Sequence, residues 1–233
     1  MPQDALAIVP ARGGSKRIPR KNIRPFLGKP ILARVVETLV ASGCFAEVMV
    51  STEDEEIAAV ARSAGAAVPF ARSCENASDT ATTAAVLLEV LSQYAKAGKA
   101  FATFCCVYPT AVFVTPEIIR KGSDLLATGV DTVIPVLRFS FPIQRAFKVD
   151  AGLLEMFHPE HMSTRSQDLE PAYHDAGQFY WAKTSSFLEQ KTLYARNAVP
   201  LVLDDMQAHD IDSEEDWRIA EFKYSYLHER RSA

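Results

Sequence analysis

Two clusters in this 233-residue sequence combine residue types and spacings that chemistry can use. The first is ARGGSKRIPRKN, residues 11–22, where an apolar run gives way abruptly to glycines and cations. Six basic side chains fall between Arg12 and Arg24. A buried core does not call for such a stretch; an anion does. Gly13 and Gly14 carry no Cβ to keep an anion away from their backbone N–H groups, and Ser15 adds a hydroxyl donor. Arg12, Lys16 and Lys21 can then neutralise a polyphosphate. The chain as a whole carries a net charge of -4, so this affinity is local, and neither nucleic acid nor an anionic membrane is an expected partner. The spelling is not G-x-x-x-x-G-K-[ST]. Nor do the glycines run directly into a helix as in a dinucleotide fingerprint, because Pro19 and a long basic loop follow.

The second cluster is Asp210 and Asp212, which flank Ile211. In an extended segment both carboxylates point to the same side. That pair suits Mg²⁺, which takes one or two carboxylates and completes its octahedron with water and substrate phosphate. Acidic residues before a helix commonly serve as caps, but Ser213 can cap here while Glu214, Glu215 and Asp216 supply the first-turn charge. Both aspartates are left for a metal. His158 and His161 match no zinc pattern with a nearby carboxylate. The four cysteines, Cys44, Cys74, Cys105 and Cys106, fit neither a zinc spacing nor a disulfide framework and read as buried free thiols. There is no secretion-signal pattern, and no apolar run approaches the roughly 20 residues a bilayer span requires. A cytoplasmic protein is expected.

The elements that must position these groups follow from periodicity. Short apolar runs at 5–11, 47–51, 66–70, 101–109 and 131–137 alternate with helical patterns, which predicts a mainly parallel sheet with helices on both faces. One helix opens at Pro30 and stops at Gly43, and a second ends at Gly65. A third starts from Ser78 or Asp79 as cap and stops at Gly98, and a fourth is capped by Thr115. Residues 140–172 break the rhythm, with a possible hairpin through Asp150 and Gly152. They read as an insertion over the site or at a subunit contact within a single domain spanning 1–233. Strands return at 176–182 and 198–204, before a closing amphipathic helix. In such a sheet ligands bind beyond the carboxyl ends of the strands, where the basic loop lies.

PARGGSKRIPRKN resembles the N-terminal motif of the CMP-sialic acid synthetases, cytidylyltransferases that join CTP to a nine-carbon 2-keto sugar acid and release pyrophosphate. STEDEEIAAVARSAGA, ARSCENASDTATT and HDIDSEEDW are similar to further family segments, so the resemblance covers nearly the whole chain. Through TRSQDLEPAYHDAGQFYW it is nearest to the branch that acts on pseudaminic acid. The sialic acid enzymes carry arginine-proline-asparagine-glycine where this chain has His174, Asp175, Ala176 and Gly177. They also have glutamine and arginine where Tyr108 and Val114 stand. Both departures fall where the family binds its sugar, which points away from N-acetylneuraminate.

The resemblance implies a Rossmann-like three-layer α/β/α nucleotidyltransferase fold and a homodimer whose inserted segment reaches the neighbouring subunit. It assigns Arg12, Gly13, Ser15, Lys16 and Lys21 to the triphosphate, with Lys16 meeting the charge that develops on the α-phosphate and the departing pyrophosphate. It places Asn22, Arg72, Ala81 and Thr83 around the nucleoside. Arg165 could pair with the acceptor's carboxylate, and Tyr108, His174, Asp175 and Gln178 complete the expected sugar site. Legionaminic and N-acetylneuraminic acids are alternative acceptors. An eight-carbon acceptor is disfavoured because octulosonate enzymes lack the double-glycine GGSKR form. A nicotinamide-dependent dehydrogenase would need an acidic residue closing the second strand, and Glu53 falls two residues past Ser51, at a helix start. A catalytically dead nucleotide-binding regulator is disfavoured by the presence of Lys16 and both aspartates.

Overall fold

The computed structural model describes residues 4–232; residues 1–3 and 233 of the expected single domain lie outside the described residues. In chain order the strands are β1 (Ala5–Pro10), β2 (Pro25–Phe26), β3 (Lys29–Pro30), β4 (Glu47–Ser51), β5 (Thr103–Val107) and β6 (Thr132–Arg138). They continue as β7 (Phe147–Asp150), β8 (Leu153–Met156), β9 (Tyr173–Asp175), β10 (Phe179–Lys183) and β11 (Ala198–Val202). The helices are α1 (Ile31–Ser42), α2 (Glu55–Ser63), α3 (Thr83–Lys96), α4 (Pro116–Leu125), α5 (Thr184–Gln190) and α6 (Glu214–Ser232).

The run ALAIVP forms the central strand because both its faces are apolar. Ala5, Ala7 and Val9 face one core while Leu6 and Ile8 face another, the period-two alternation of a strand. The sheet order is β11-β6-β10-β5-β1-β4, with β9 added on β6. β4, β1, β5, β6 and β11 run one way, and β10 and β9 run the other. The sheet is thus mostly parallel, as expected, with a reversed strand at its centre. Buried residues of α1, α2, α4 and α6 pack on one face, with Ile31, Val35, Ile119 and Trp217 among them. Leu87, Val90 and Tyr94 of α3 and Phe187 of α5 pack on the other. This is a three-layer α/β/α arrangement.

Several details differ from the sequence expectations. Residues 66–70 form no strand. Pro69 has no N–H to give a ladder, and only isolated bridges join Ala67 to Met49 and Ala71 to Thr52. That edge pairing still matters, because Arg72 N donates to Thr52 O at 3.0 Å and sets the arginine at the sheet end. The third helix begins later than expected: Thr82, not Ser78 or Asp79, caps it by accepting from Ala85 N. Asp79 is held by cations instead. The hairpin through Asp150 and Gly152 is present as β7 and β8. In α6, Trp217 and Ala220 are buried, but Ile219, Phe222 and Tyr226 remain exposed as a second apolar stripe, so that helix is less cleanly amphipathic than expected. Cys74 is exposed, unlike the other three cysteines.

The basic loop is strapped to the start of α2. Asp54 caps that helix, its Oδ1 accepting from Glu56 N and Ile57 N at 3.0 Å each. The same carboxylate accepts from Arg20, Nη1 to Oδ2 at 2.5 Å and Nη2 to Oδ1 at 3.0 Å, a bidentate pair. Arg20 sits in the left-handed region at φ 54°, which costs a non-glycine residue free energy; the fork onto Asp54 offsets that cost. Gly13 passes so close that a Cβ there would meet Asp54 Oδ2 at 2.6 Å. Its N–H donates to Glu53 Oε1 at 2.7 Å.

Two stability predictions follow from these contacts. Chiefly the hydrogen bond from Arg20 holds Asp54 down at about 2, below the ordinary carboxylate value of about 3.9. Its stabilisation is therefore complete above the unfolded value and is lost as pH falls towards about 2. Asp54→Ala is expected to cost about 2 kcal/mol at pH 7, from the cap and the ion pair together. In urea unfolding the gap to the unaltered protein should narrow at pH 3. On the same face of the sheet, a Cβ on Gly122 of α4 would lie 2.7 Å from Trp181 Cδ1 and 3.2 Å from Phe179 Cε2. Gly122→Ala is expected to lower stability by about 1–2 kcal/mol in the same assay, overpacking outweighing the helical gain of about 1 kcal/mol.

Candidate functional site

A cleft of about 390 Å³ opens where β1 and β5 end. Arg12, Ser15, Lys16, Lys21, Asn22, Arg72, Ala81, Thr83, Tyr108, Asp210 and Asp212 all line it. The fold therefore gathers residues spread over 200 positions of sequence, from Arg12 to Asp212, into one cavity. They come from the strand ends, the loops on this side of the sheet and the start of α3, the place where a mostly parallel sheet leaves its backbone groups and side chains converging.

Cations dominate the wall after β1, and each has an internal counter-charge. Arg12 Nη1 meets Asp79 Oδ1 at 2.6 Å, and Lys16 pairs with Asp79 Oδ2. Those contacts, Lys16 first, hold the Asp79 carboxyl below its usual range. Arg17 Nη2 reaches Asp212 Oδ1 at 2.8 Å. Lys21 Nζ donates to Ile211 O at 2.7 Å and lies 3.4 Å from Asp212 Oδ1, so the basic loop and the aspartate pair are joined directly. Asn22 is buried and donates Nδ2 to Arg12 O at 2.8 Å, bracing the turn from inside.

Arg72 forms the opposite wall. It is 7% exposed, and Ser51 accepts from its Nε at 3.1 Å and its Nη2 at 2.5 Å. Burial lowers its pKa, partly offset by the charges of Glu53 and Glu89. A buried guanidinium held by a serine instead of a direct carboxylate keeps attraction for an incoming polar or anionic group. Beside it, Glu89 accepts from Ser73 N at 3.0 Å and Asn76 Nδ2 at 2.8 Å, fixing the turn that carries Asn76 into the cleft. Thr83 Oγ1 and Tyr108 OH are 3.0 Å apart. Burial pushes the Tyr108 phenol up to about 12, so it stays protonated at neutral pH.

Asp210 and Asp212 face this cavity together. Burial first, then the neighbouring Asp212 charge, raises the Asp210 carboxyl. A partly buried carboxylate beside a second one is relieved by a divalent cation, and the arrangement fits the hard oxygen chemistry of Mg²⁺. No cluster of three or more metal-ligating side chains exists among the described residues, so any ion here would rely on two carboxylates completed by water and phosphate.

One expected triphosphate residue, Gly13, and four expected acceptor residues lie elsewhere. Gly13 turns its N–H to Glu53 and does not line the cavity. Arg165 lies in the exposed insertion with Nε on Asp168 Oδ2 at 2.7 Å, and exposed His174 packs against Phe139, ring centroids 4.8 Å apart. Gln178 is 1% exposed; its Nε2 donates to Ala176 O and His209 O at 3.2 and 3.4 Å. The Asp175 carboxylate turns to Gly177 N and the hydroxyls of Tyr180 and Tyr194. None of these five residues lines the cleft. Sequence reasoning missed Asp79, Arg17, Asn76, Thr110 and Gly177 as lining residues. Asp79 was legible only as a helix cap, and Thr110 and Gly177 carry no sequence signal of their own.

Comparison with known proteins agrees with this geometry. The model of a family described as cytidylyltransferase matches residues 6–217. A pseudaminic acid cytidylyltransferase of Campylobacter jejuni subsp. jejuni serotype O:2 is 37% identical over 96% of this chain and 97% of its own length. A CMP-N,N'-diacetyllegionaminic acid synthase of Legionella pneumophila is 32% identical over 93% of this chain and 94% of its own. Among solved structures, a CMP:2-keto-3-deoxy-manno-octonic acid synthetase in complex with CTP superposes with a TM-score of 0.67 at 15% identity. That superposition covers 97% of this chain and 99% of the other, a likeness of fold. No described helix is long and apolar enough to cross a membrane. A dehydrogenase is set aside, since Glu53, the residue that would have to hold a ribose, is engaged by Gly13 N–H. With its cationic strand-end cleft, the fold that frames it and a family match over nearly the whole length, the chain belongs to the cytidylyltransferases and is a CTP-dependent nucleotidyltransferase.

Proposed function

We propose that this enzyme transfers CMP from CTP to the anomeric hydroxyl of pseudaminic acid, a nine-carbon 2-keto sugar acid, with Mg²⁺ as its metal. The observation that carries the reading is the junction at which Lys21 Nζ reaches Ile211 O and Asp212, because joining the basic loop to the aspartate pair supports a triphosphate and a metal meeting at one point. The acceptor assignment rests on the 37% identical relative and on the HDAGQFYW segment.

In this reading the anomeric oxygen attacks the α-phosphorus, the bond to the bridging oxygen breaks, pyrophosphate departs and the hydroxyl proton is released. Positioning and electrostatic neutralisation supply most of the acceleration. Arg12, Lys16 and Lys21 exchange their carboxylate partners for phosphate oxygens, and Ser15 adds a donor. Lys16 meets the charge that grows on the α-phosphate and the leaving group. Asn22, Ala81, Thr83 and Arg72 enclose the nucleoside. Mg²⁺, held by Asp210 and Asp212, would add positive charge at the phosphates.

The insertion, residues 140–172, is assigned to a homodimer contact. Phe141, Val149, Leu153, Leu154 and Met162 are each at least 65% exposed, so both faces of the hairpin present apolar surface that a monomer leaves in water. Arg165 and His174 would then serve the site of the assembled dimer.

Four experiments bear on this reading. Purified protein incubated with CTP, Mg²⁺ and a panel of nonulosonic acids should release pyrophosphate fastest with pseudaminic acid; no release with any member of the panel would refute the assignment. Asp212→Ala should fold normally yet lose about two orders of magnitude or more in turnover, whereas an unchanged Mg²⁺ dependence would remove Asp212 from the metal site. Lys16→Ala should lower kcat more than CTP affinity. Leu153→Asp combined with Leu154→Asp should convert a dimer to a monomer in light scattering.

A further inference from the structure

The Asp175 carboxylate sits behind the cleft wall, not in it. Its Oδ1 accepts the N–H of Gly177 at 2.7 Å, an Asx turn that reaches two residues on. That bond stabilises the left-handed conformation of Gly177, φ 62°, and Gly177 lines the cleft. Its Oδ2 accepts from Tyr180 OH at 2.6 Å and from Tyr194 OH. Tyr180, 5% exposed, meets Tyr108 edge-on with ring centroids 5.9 Å apart at 88°, and Tyr108 both lines the cleft and meets Thr83. One carboxylate therefore fixes two pieces of the same wall, a glycine turn on one side and a tyrosine ring on the other.

We propose that Asp175 is a positioning residue for the acceptor: it sets the wall formed by Gly177 and Tyr108 through Gly177 N–H and the Tyr180 and Tyr194 hydroxyls, without itself touching substrate. The reason is geometric. Three donors converge on this single side chain, and all three come from within 20 residues of it, on the turn before β10, on β10 and on the loop after α5. A partly buried carboxylate that accepts several hydrogen bonds acts as a hub, and removing it frees every donor at once. Burial raises the Tyr180 phenol, and the hydrogen bond to Asp175 raises Tyr194, so both hydroxyls keep their protons for this bond at neutral pH. A direct role in sugar recognition, the expectation from sequence, would need a carboxylate oxygen turned to the cleft, and both oxygens are turned to protein.

The inference rests on the nonulosonic acid reading of the acceptor, and its test is separable from that reading. In steady-state assays Asp175→Asn is expected to raise the KM for the sugar acid at least fivefold. The KM for CTP, and the Kd for CTP by calorimetry, should stay within twofold. Tyr194→Phe guards against misfolding of the aspartate variant, since Tyr194 is 63% exposed and loses only a hydroxyl; it should give a smaller rise of the same kind. In the Tyr180→Phe/Tyr194→Phe background, Asp175→Asn should add less than it does alone, as expected of groups in one network. An unchanged sugar KM in Asp175→Asn, equal losses for both substrates, or strictly additive effects would overturn the positioning role. Failure of the unaltered enzyme to use any nonulosonic acid would instead overturn the acceptor assignment, and calorimetry with CTP would still report whether the nucleotide wall is intact.

Discussion

Six cations packed into one short loop repel each other, and the loop can hold a shape only because carboxylates from distant parts of the chain pair with them. Arg12 and Lys16 share Asp79, Arg17 and Lys21 share Asp212, Arg20 takes Asp54 and Glu56, and Arg24 takes Glu214. The pairs differ in kind. Those at Asp54 and Glu214 lie away from the cavity, and Arg24 also lies over the Trp217 ring at 4.6 Å; they anchor the ends of the loop. Those at Asp79 and Asp212 lie inside the cavity, where phosphate oxygens are stronger competitors for the same cations. On the proposed function, anchoring pairs stay while lining pairs exchange for phosphate, which leaves the loop stable when empty and able to bind a polyanion.

The same division of labour holds around the turn before β10. Gln178 and Asp175 spend their polar atoms on the protein: Gln178 Nε2 joins Ala176 O to His209 O, one residue before Asp210, and Asp175 gathers three donors. The reversed strand β10 makes this possible. Because it runs antiparallel between β5 and β6, the turn before it, through Ala176 and Gly177, arrives at the end of the sheet where β5 delivers Tyr108. Tyr108 N in turn donates to Gln178 O at 2.9 Å. A purely parallel sheet would have placed that turn at the opposite end, away from the cleft.

Local sequence determined a good part of this protein. Continuous apolar runs fixed β1, β5 and β6, since a strand buried on both faces needs no polar side, and the stops at Gly43 and Gly65 follow from the left-handed backbone that ends a helix. The charge and glycine content of residues 11–22 pointed to an anion site, and the spacing of Asp210 and Asp212 to a metal pair, and the fold brings residues of both segments to one cleft. Where local rules failed, a long-range contact had overruled them. Asp79 would cap a helix in isolation but is captured by Arg12 and Lys16 from the first loop. Residues 66–70 would be a strand if pairing were unbroken, but Pro69 interrupts it. Only the tertiary structure decided which polar groups face the cleft and which face the protein, as with Gly13, Asp175 and Gln178, because that choice depends on what lies behind each residue from elsewhere in the chain.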